Sequence, residues 1–479
     1  MINDEAVEIQ DDCTDLDAIA SEVRQGASIA RDGFPLLTDP VTKDSAQLFV
    51  ENLRRGAKPQ SEWMCGVEME LFGYDMSRDL ARINPAQVQQ VLAGFAPSSN
   101  DLVYEDTLLI EVNAGQMNRL TVEPGGQVEF SGAPQRSLKD VEHEIRRYVA
   151  RLHEIAEGNS LTFLAVGFDP LRSLEEQHWF PKARYEVMRP YLATRGARAW
   201  DMMTRTCAAQ ANLDYGSTED LAKKFLLGNR LAPIVAAIFA NSPFENGRLS
   251  GYKSTRAAAW LETDDDRTGT SPPALAGEEF SPDAFVAYAL EVPMIFAQRG
   301  GRYMDAPTGM KFGDFLAGGC RGVQPVFGDW ADHLTTLFTD ARLKQHIELR
   351  SADSGRPRHT LALQALWKGL LYDGDALDEA LCLAPKLSNE EMRALQECVA
   401  RDALAARFEN VDVLRLAREI VRLSAGGLER IAPSEVSYLD VLHEQVIEDG
   451  ICPADILLRN WHGSWHASME RVFEYLRIA

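Results

Sequence analysis

The apolar positions of this chain follow two periods. From Trp63 to about Tyr372, runs that alternate apolar and polar residues interleave with runs of helical spacing. Beyond Tyr372 the spacing is helical. In "GVEMELF", residues 66–72, Val67, Met69 and Leu71 alternate with Glu68 and Glu70. Successive side chains of a strand point to opposite faces, so this alternation predicts a strand with both carboxylates on one side. The segment "LTVEPGGQVEFSG" repeats the pattern: Glu123, Gly125, Gln127 and Glu129 share one parity, and Val122, Val128 and Phe130 the other. "CAAQANLDY" sets Gln210, Asn212 and Asp214 against Ala209, Ala211 and Leu213, and "HIELRSAD" sets Glu348 and Arg350 against Ile347 and Leu349.

Two helices stand out between and after these strands. In "RSLKDVEHEIRRYVARLHEIAEGN", Ser137 precedes Asp140 by three positions, close to a capping box. Leu138, Val141, Ile145, Val149, Leu152 and Ile155 then form one stripe, and Gly158 is the expected stop. In "FENVDVLRLAREIVRLSAGG" the stripe runs from Val413 to Leu423, with Gly426 and Gly427 as the expected end. The pattern predicts an α+β fold in three stretches: an acidic arm over residues 1–45, a domain of mixed strands and helices over 46–375, and a helical region over 376–479 packed upon it. "TDDDRTGTSPPALAGEEFSPD", rich in acid, Pro and Gly, is expected to be a surface loop.

Composition narrows the function. The net charge of −23 argues against general affinity for nucleic acid or anionic membranes, because both attract basic surfaces. The N-terminal segment lacks the basic and apolar regions of a secretory signal. The longest uncharged run, "LAPIVAAIFANSPF", is too short to span a bilayer. The seven cysteines are scattered without a CxxC pair, so reduced thiols in a cytoplasmic protein are expected.

One polar strand face is what a half-solvated antiparallel sheet shows anyway. Four such faces that collect carboxylates and amides are a different matter. A face this negative calls for a cation. Open carboxylates suit Mg²⁺, which usually carries substrate phosphates as well. Lys182, Arg184, Arg205, Lys223, Lys224, Arg256, Arg267 and Arg350 are the basic candidates for phosphates and carboxylates. There is no GxxxxGK[ST] loop, no GxGxxG, no GxSxG, no HExxH and no zinc-spaced Cys/His set, so any nucleotide is held by another device.

These residues sit in recognisable surroundings. "GVEMELFGYD" is similar to GTEHEKFG, and "VEPGGQVEFSGAP" to EPGGQFELSGAP. With "PKARYEVMRPYL", "DMMTRTCAAQANLDY", "ANSPFENG", "TDDDRTG", "DWADHLTTLF", "RLKQHIELRSAD" and "LLRNWHGSW", the chain resembles, over residues 60–475, the plant- and proteobacterial-type glutamate–cysteine ligases of the glutamine synthetase-like superfamily. The resemblance implies a curved, mainly antiparallel sheet forming a funnel backed by helices. It implies that ATP phosphorylates the γ-carboxylate of glutamate and that an amine then displaces the phosphate. By similarity, Glu68, Glu70, Glu123, Glu129 and Glu348 are the expected Mg²⁺ ligands, and Arg350 and Arg205 the catalytic cations. Arg256, Gln210, Trp260 and Ile295 are expected on the amino-acid substrates, and Lys182, Arg184, Lys224 and Arg267 on ATP. Ile295 stands where the plant type has a tyrosine on the acceptor side, and "RTGTSPP" replaces RTGMLPF. These departures leave the acceptor open between L-cysteine and another small amine. A non-catalytic homologue is a third alternative, disfavoured because all the proposed acids are kept. A monomer or homodimer is expected. Ala306 stands where one partner of the plant regulatory disulfide would be, leaving Cys320 unpaired.

Overall fold

A computed structural model describes residues 34–115, 118–270 and 280–479. Most of the acidic arm and the "SPPALAGEE" stretch lie outside the described residues. Residues 34–45 pack on the body: Phe34 meets Phe327 edge-on at 5.4 Å, and Val41 N donates to Pro325 O.

The polar-faced segments assemble into one ten-stranded sheet. Its strands are β1 (Cys65–Asp75), β2 (Ala81–Arg82), β3 (Leu102–Glu105), β4 (Leu108–Asn113), β5 (Arg119–Val122) and β6 (Val128–Ser131), then β7 (Leu161–Leu164), β8 (Ala208–Leu213), β9 (Ala341–Leu343) and β10 (Ile347–Asp353). The order is β9-β10-β8-β1-β6-β5-β4-β3, with β7 and β2 on the C-terminal half of β1. Every one of these pairings is antiparallel, as expected.

The glycine-rich segment is two strands rather than one. β5 ends at Val122 and β6 begins at Val128, joined by a tight turn in which Gly126 N donates to Glu123 O. Pro124 offers no ladder donor and Gly126 takes φ +78°, so the chain reverses there. Gly125 is needed for a second reason: a Cβ there would overlap the backbone of Thr204.

The helices that position the site are α1 (Leu138–Asn159), α2 (Ala183–Leu192), α3 (Ala199–Arg205), α4 (Thr218–Ile238), α5 (Thr255–Leu261), α6 (Pro357–Leu371) and α7 (Val413–Ile431). Ser137 caps α1 as expected, its hydroxyl accepting from Asp140 N. The helix runs past Gly158, however, and stops at Ser160, which adopts the left-handed conformation at φ +55°. Likewise α7 passes through Gly426 and Gly427. A Cβ on Gly427 would overlap Gly369 O, and one on Gly369 would overlap Ser424 O. These two glycines let α6 and α7 approach closely; they do not end a helix.

α6 is buried along nearly its whole length behind the apolar face of the sheet. One continuous cluster of buried side chains joins Met69, Leu120, Phe130, Ala211 and Leu349 of that face to Leu366 of α6 and Ile420 of α7. It reaches Ala479, whose carbonyl accepts from Phe163 N of β7. The expected surface loop is partly interior: Asp264 and Arg267 are buried as a 2.7 Å ion pair, and Thr268–Gly269 pairs in parallel with Phe338–Thr339. Internal partners for the charges outweigh the loop-like composition.

Candidate active site

The opposite face of the sheet is the floor of a cavity of about 370 Å³. Register puts Glu70 of β1 directly opposite Glu129 of β6, and Glu129 opposite Thr121 of β5. Glu68 lies between Ser131 and Gln210. Glu123, just past β5, completes the acid floor. Cations form the walls: Lys182 and Arg184 at the start of α2, Arg256 of α5, Arg342, Lys344 and Arg350. The remaining wall is apolar, with Met188, Met202, Met203, Trp260 and Phe338. A second cavity of about 280 Å³ adjoins it and shares Arg256, Trp260, Phe338 and Arg350.

Charge is unevenly balanced on this floor. Burial, reinforced by Glu348 and Glu129, pushes the Glu68 carboxyl up to about 7. Burial and Glu123 push Glu129 up to about 7, although the Ser131 and Thr121 hydroxyls donate to it at 3.0 and 3.2 Å. Glu70 is raised well above its ordinary value by burial and by Glu123 and Glu129, despite a 2.7 Å bond from Ala208 N and one from Gln210. Like charges this close disfavour joint ionisation, and a cationic ligand would relieve them.

Glu348 differs. Burial alone would raise its carboxyl, but Arg342, Lys344 and Arg350 outweigh that and hold it well below the usual range. Arg342 Nη2 lies 2.6 Å from Oε1 and Lys344 Nζ 2.9 Å from Oε2, while Arg350 also donates to Oε1. The expected metal ligand Glu348 is therefore an anchor for three cations, with both oxygens committed.

The cavity gathers Glu68, Glu70, Glu123, Glu129, Gln210, Lys182, Arg184, Arg256, Trp260 and Arg350 as expected. Five expected residues lie elsewhere. Arg205, expected to be catalytic, is buried against Asp201 and Glu245 and bonds Asn246. Lys224 sits 3.3 Å over the ring of Trp63, bonded to Asp220 and Asp214 O, within the helical layer. Arg267 is fully buried, its donors spent on Asp264, Thr336, Tyr191 and Pro293 O. Ile295 is 2% exposed in an apolar cluster with Tyr185, Met188 and Phe296, behind the cavity wall. Lys223 pairs with Asp378 at the surface.

Sequence reasoning missed Arg119, Thr121, Ser131, Arg342 and Lys344, all of which line the cavity. The signal was present: Arg119, Thr121 and Ser131 continue the parity of Glu123 and Glu129 within their own strands. Arg342 and Lys344 share parity on β9 and the residue after it, but pairing across to Glu348 is not visible in one strand.

Fold and cavity together are those of an α+β enzyme that binds small, highly charged molecules. The chain belongs to glutamate–cysteine ligase family 2, whose family model matches residues 64–475. It is 38% identical over 444 residues to the chloroplastic glutamate–cysteine ligase B of Oryza sativa subsp. japonica, covering 92% of this chain and 88% of the relative. It is 37% identical over 443 residues to the chloroplastic glutamate–cysteine ligase of Arabidopsis thaliana, covering 92% and 83%. Among solved structures, a glutamate–cysteine ligase from Francisella tularensis in complex with AMP aligns over 86% of this chain and 87% of its own. It has 12% identity and a TM-score of 0.49, too loose a likeness to argue from. The family resemblance carried by the motifs is thus borne out. The expectation of a cytoplasmic protein is corrected: these plant relatives are named as chloroplastic.

Proposed function

We propose that this protein is an ATP-dependent ligase that joins the γ-carboxylate of L-glutamate to the amine of L-cysteine through a γ-glutamyl phosphate. The observation that carries the reading is the facing pair Glu70 and Glu129, with Arg256 and Arg350 in the same cavity of a chain that belongs to this family.

Among the described residues, no three His, Cys, Asp or Glu side chains form a ready metal cage. The chemistry of the donors nevertheless fits Mg²⁺, which takes one or two carboxylates and completes its shell with water and substrate phosphates. Glu70, Glu123 and Glu129 would hold it. When bound, the ion would shield the phosphate charge that the acid floor otherwise repels.

The chain's own residues then have separate tasks. Lys182, Arg184 and Lys344 face the cavity where the polyphosphate of a nucleotide would lie. Arg350 bonds Glu348 and, at 2.7 Å, Gln210. It is thus a fixed positive charge that can stabilise negative charge developing on the transferred phosphoryl group. Arg256 lines the cavity with a guanidinium whose terminal nitrogens bond Ser351 O and Arg350 O and keep one N–H each, which suits the α-carboxylate of glutamate. Catalysis by positioning and charge needs no nucleophilic side chain.

Met188, Met202 and Met203 make the apolar end polarizable, which suits a thiol side chain. The three methionines offer shape rather than hydrogen bonds, and each methylene then supplies only about 1–3 kcal/mol of discrimination. The second reading, a different small amine as acceptor, rests on that. The test is phosphate release from ATP with glutamate and Mg²⁺, with and without an amine panel, and mass spectrometry of the products. γ-Glutamylcysteine as the main product is expected. Efficient turnover of another amine with cysteine ignored would replace the first reading by the second. No glutamate-dependent phosphate release with any amine would overturn both.

A further inference from the structure

Arg256 does not stand in the cavity unaided. Its Nη2 donates to Arg350 O at 2.8 Å and its Nη1 to Ser351 O at 3.2 Å, while Nε has no partner. Behind it, Nη1 lies 3.9 Å from Oδ1 of Asp353, the last residue of β10. Asp353 is 3% exposed and is not among the residues that line either cavity.

Asp353 is held from three sides. Its Oδ2 accepts from Asn241 N at 2.8 Å and from the Ser242 hydroxyl at 2.6 Å, and its Oδ1 accepts from the Ser254 hydroxyl at 2.8 Å. Ser254 is also the N-cap of α5: its hydroxyl oxygen accepts from Ala257 N, three residues on. Arg256 is the second residue of that helix. One carboxylate therefore ties the end of the catalytic strand β10 to the cap of the helix that carries Arg256. The space it needs is reserved, because a Cβ on Gly167 would overlap the Asp353 carboxylate.

We propose that Asp353 is a positioning residue for substrate binding: through Ser254 and the Arg256 guanidinium it fixes where the arginine fork meets the carboxylate of the donor amino acid. The inference rests on the reading of Arg256 as the glutamate clamp. Burial pushes the Asp353 carboxyl upward, and Arg256 and the three donors pull it back. A neutral side chain of the same shape would keep some of these bonds and lose the pull on the guanidinium. A bulkier or missing side chain would lose the tether as well.

The experiment is steady-state kinetics on Asp353→Asn, Ser254→Ala and Arg256→Lys, with a thermal melt of each. Asp353→Asn is expected to raise KM for glutamate about tenfold while leaving KM for ATP within about twofold, because a charge-assisted contact and its geometry are lost at one subsite only. Ser254→Ala keeps the carboxylate and should show a weaker shift of the same kind, even if Asp353→Asn fails to fold. The double variant of Asp353→Asn with Arg256→Lys should be markedly less than additive in its effect on glutamate KM. If Arg256→Lys changes the two KM values equally, the clamp reading itself is wrong. If Arg256→Lys shifts glutamate alone but both Asp353→Asn and Ser254→Ala leave the two KM values in their wild-type ratio, Asp353 serves stability only and the inference is overturned.

Discussion

Strand β1 runs between two buried groups of charged residues that are built on opposite rules. Beside its C-terminal half, Asp169 receives Arg82 Nη1 at 3.1 Å, the Tyr74 hydroxyl at 2.9 Å and Gln177 at 3.1 Å, as well as the backbone N–H of Leu171 and Arg172. Arg82 spends its remaining donors on Gly73 O, Gly125 O and Gln177. Burial alone would raise the Asp169 carboxyl, yet Arg82 and the backbone donors hold it low. Beside the N-terminal half, Glu68, Glu70 and Glu129 are all raised, because burial is joined by their mutual repulsion. A buried charge that is fully partnered has finished its work in folding. Buried charge left in surplus along a cavity is stored for something that binds.

The largest way to break this contrast is Asp169→Ala. It strands Arg82 in the interior and should cost about 3–5 kcal/mol of stability by denaturant titration, with KM values of the remaining folded enzyme unchanged. A loss no greater than that from Glu70→Ala would erase the distinction between the two clusters. Next comes Glu129→Gln, which should lower turnover on the order of 10²-fold while leaving the melting temperature at or above that of the wild type. A drop in both together would mean that Glu129 is structural after all.

Lys224→Met sharpens the boundary of the site. Lys224 is packed under Trp63 and away from the cavity, so KM for ATP should stay within about twofold while stability falls by about 1–2 kcal/mol. A large rise in KM for ATP would return Lys224 to the nucleotide.

The smallest effect is in pH. Glu68 and Glu129 keep their protons up to about 7 in the folded protein, against an ordinary value of 4.5. Between those values the folded state binds more protons than the unfolded one. The stability that these two groups contribute to the protein without ligands should therefore be full at acid pH and fall as pH rises from about 4.5 to about 7, against the opposite slope from the buried His333, His346 and His359, whose pKa values burial lowers. Glu129→Gln should reduce that fall by about 1 kcal/mol between pH 5 and pH 8. Melting curves that fall equally in both forms would show that Glu129 is not one of the repelling groups.

The alternation in "GVEMELF" and "HIELRSAD" was sufficient to place Glu68 with Glu70, and Glu348 with Arg350, on the polar face of their own strands, because strand geometry alone fixes parity. The cap of α1 at Ser137 was legible for the same reason, since the hydroxyl and its partner lie three residues apart. The motifs from Trp63 onward were legible as a family. What the sequence could not decide was partnership between distant segments. Asp220, Asp264 and Asp201 stand three or four residues before Lys224, Arg267 and Arg205, but only the fold brings Trp63 to the first, Tyr191 and Thr336 to the second, and Glu245 and Asn246 to the third. Glu348 has the parity of a metal ligand, and only the neighbouring strand and the residues after it bring Arg342 and Lys344 onto its oxygens. Gly427 carries the signature of a helix end until Gly369 is seen against it. Local spacing thus determined which way side chains point, since that follows from one segment's backbone. Which charges are spent and which are left for a ligand was decided only by tertiary packing, because a charge is neutralised by what lies within a few ångströms in space and not by what lies next in the chain.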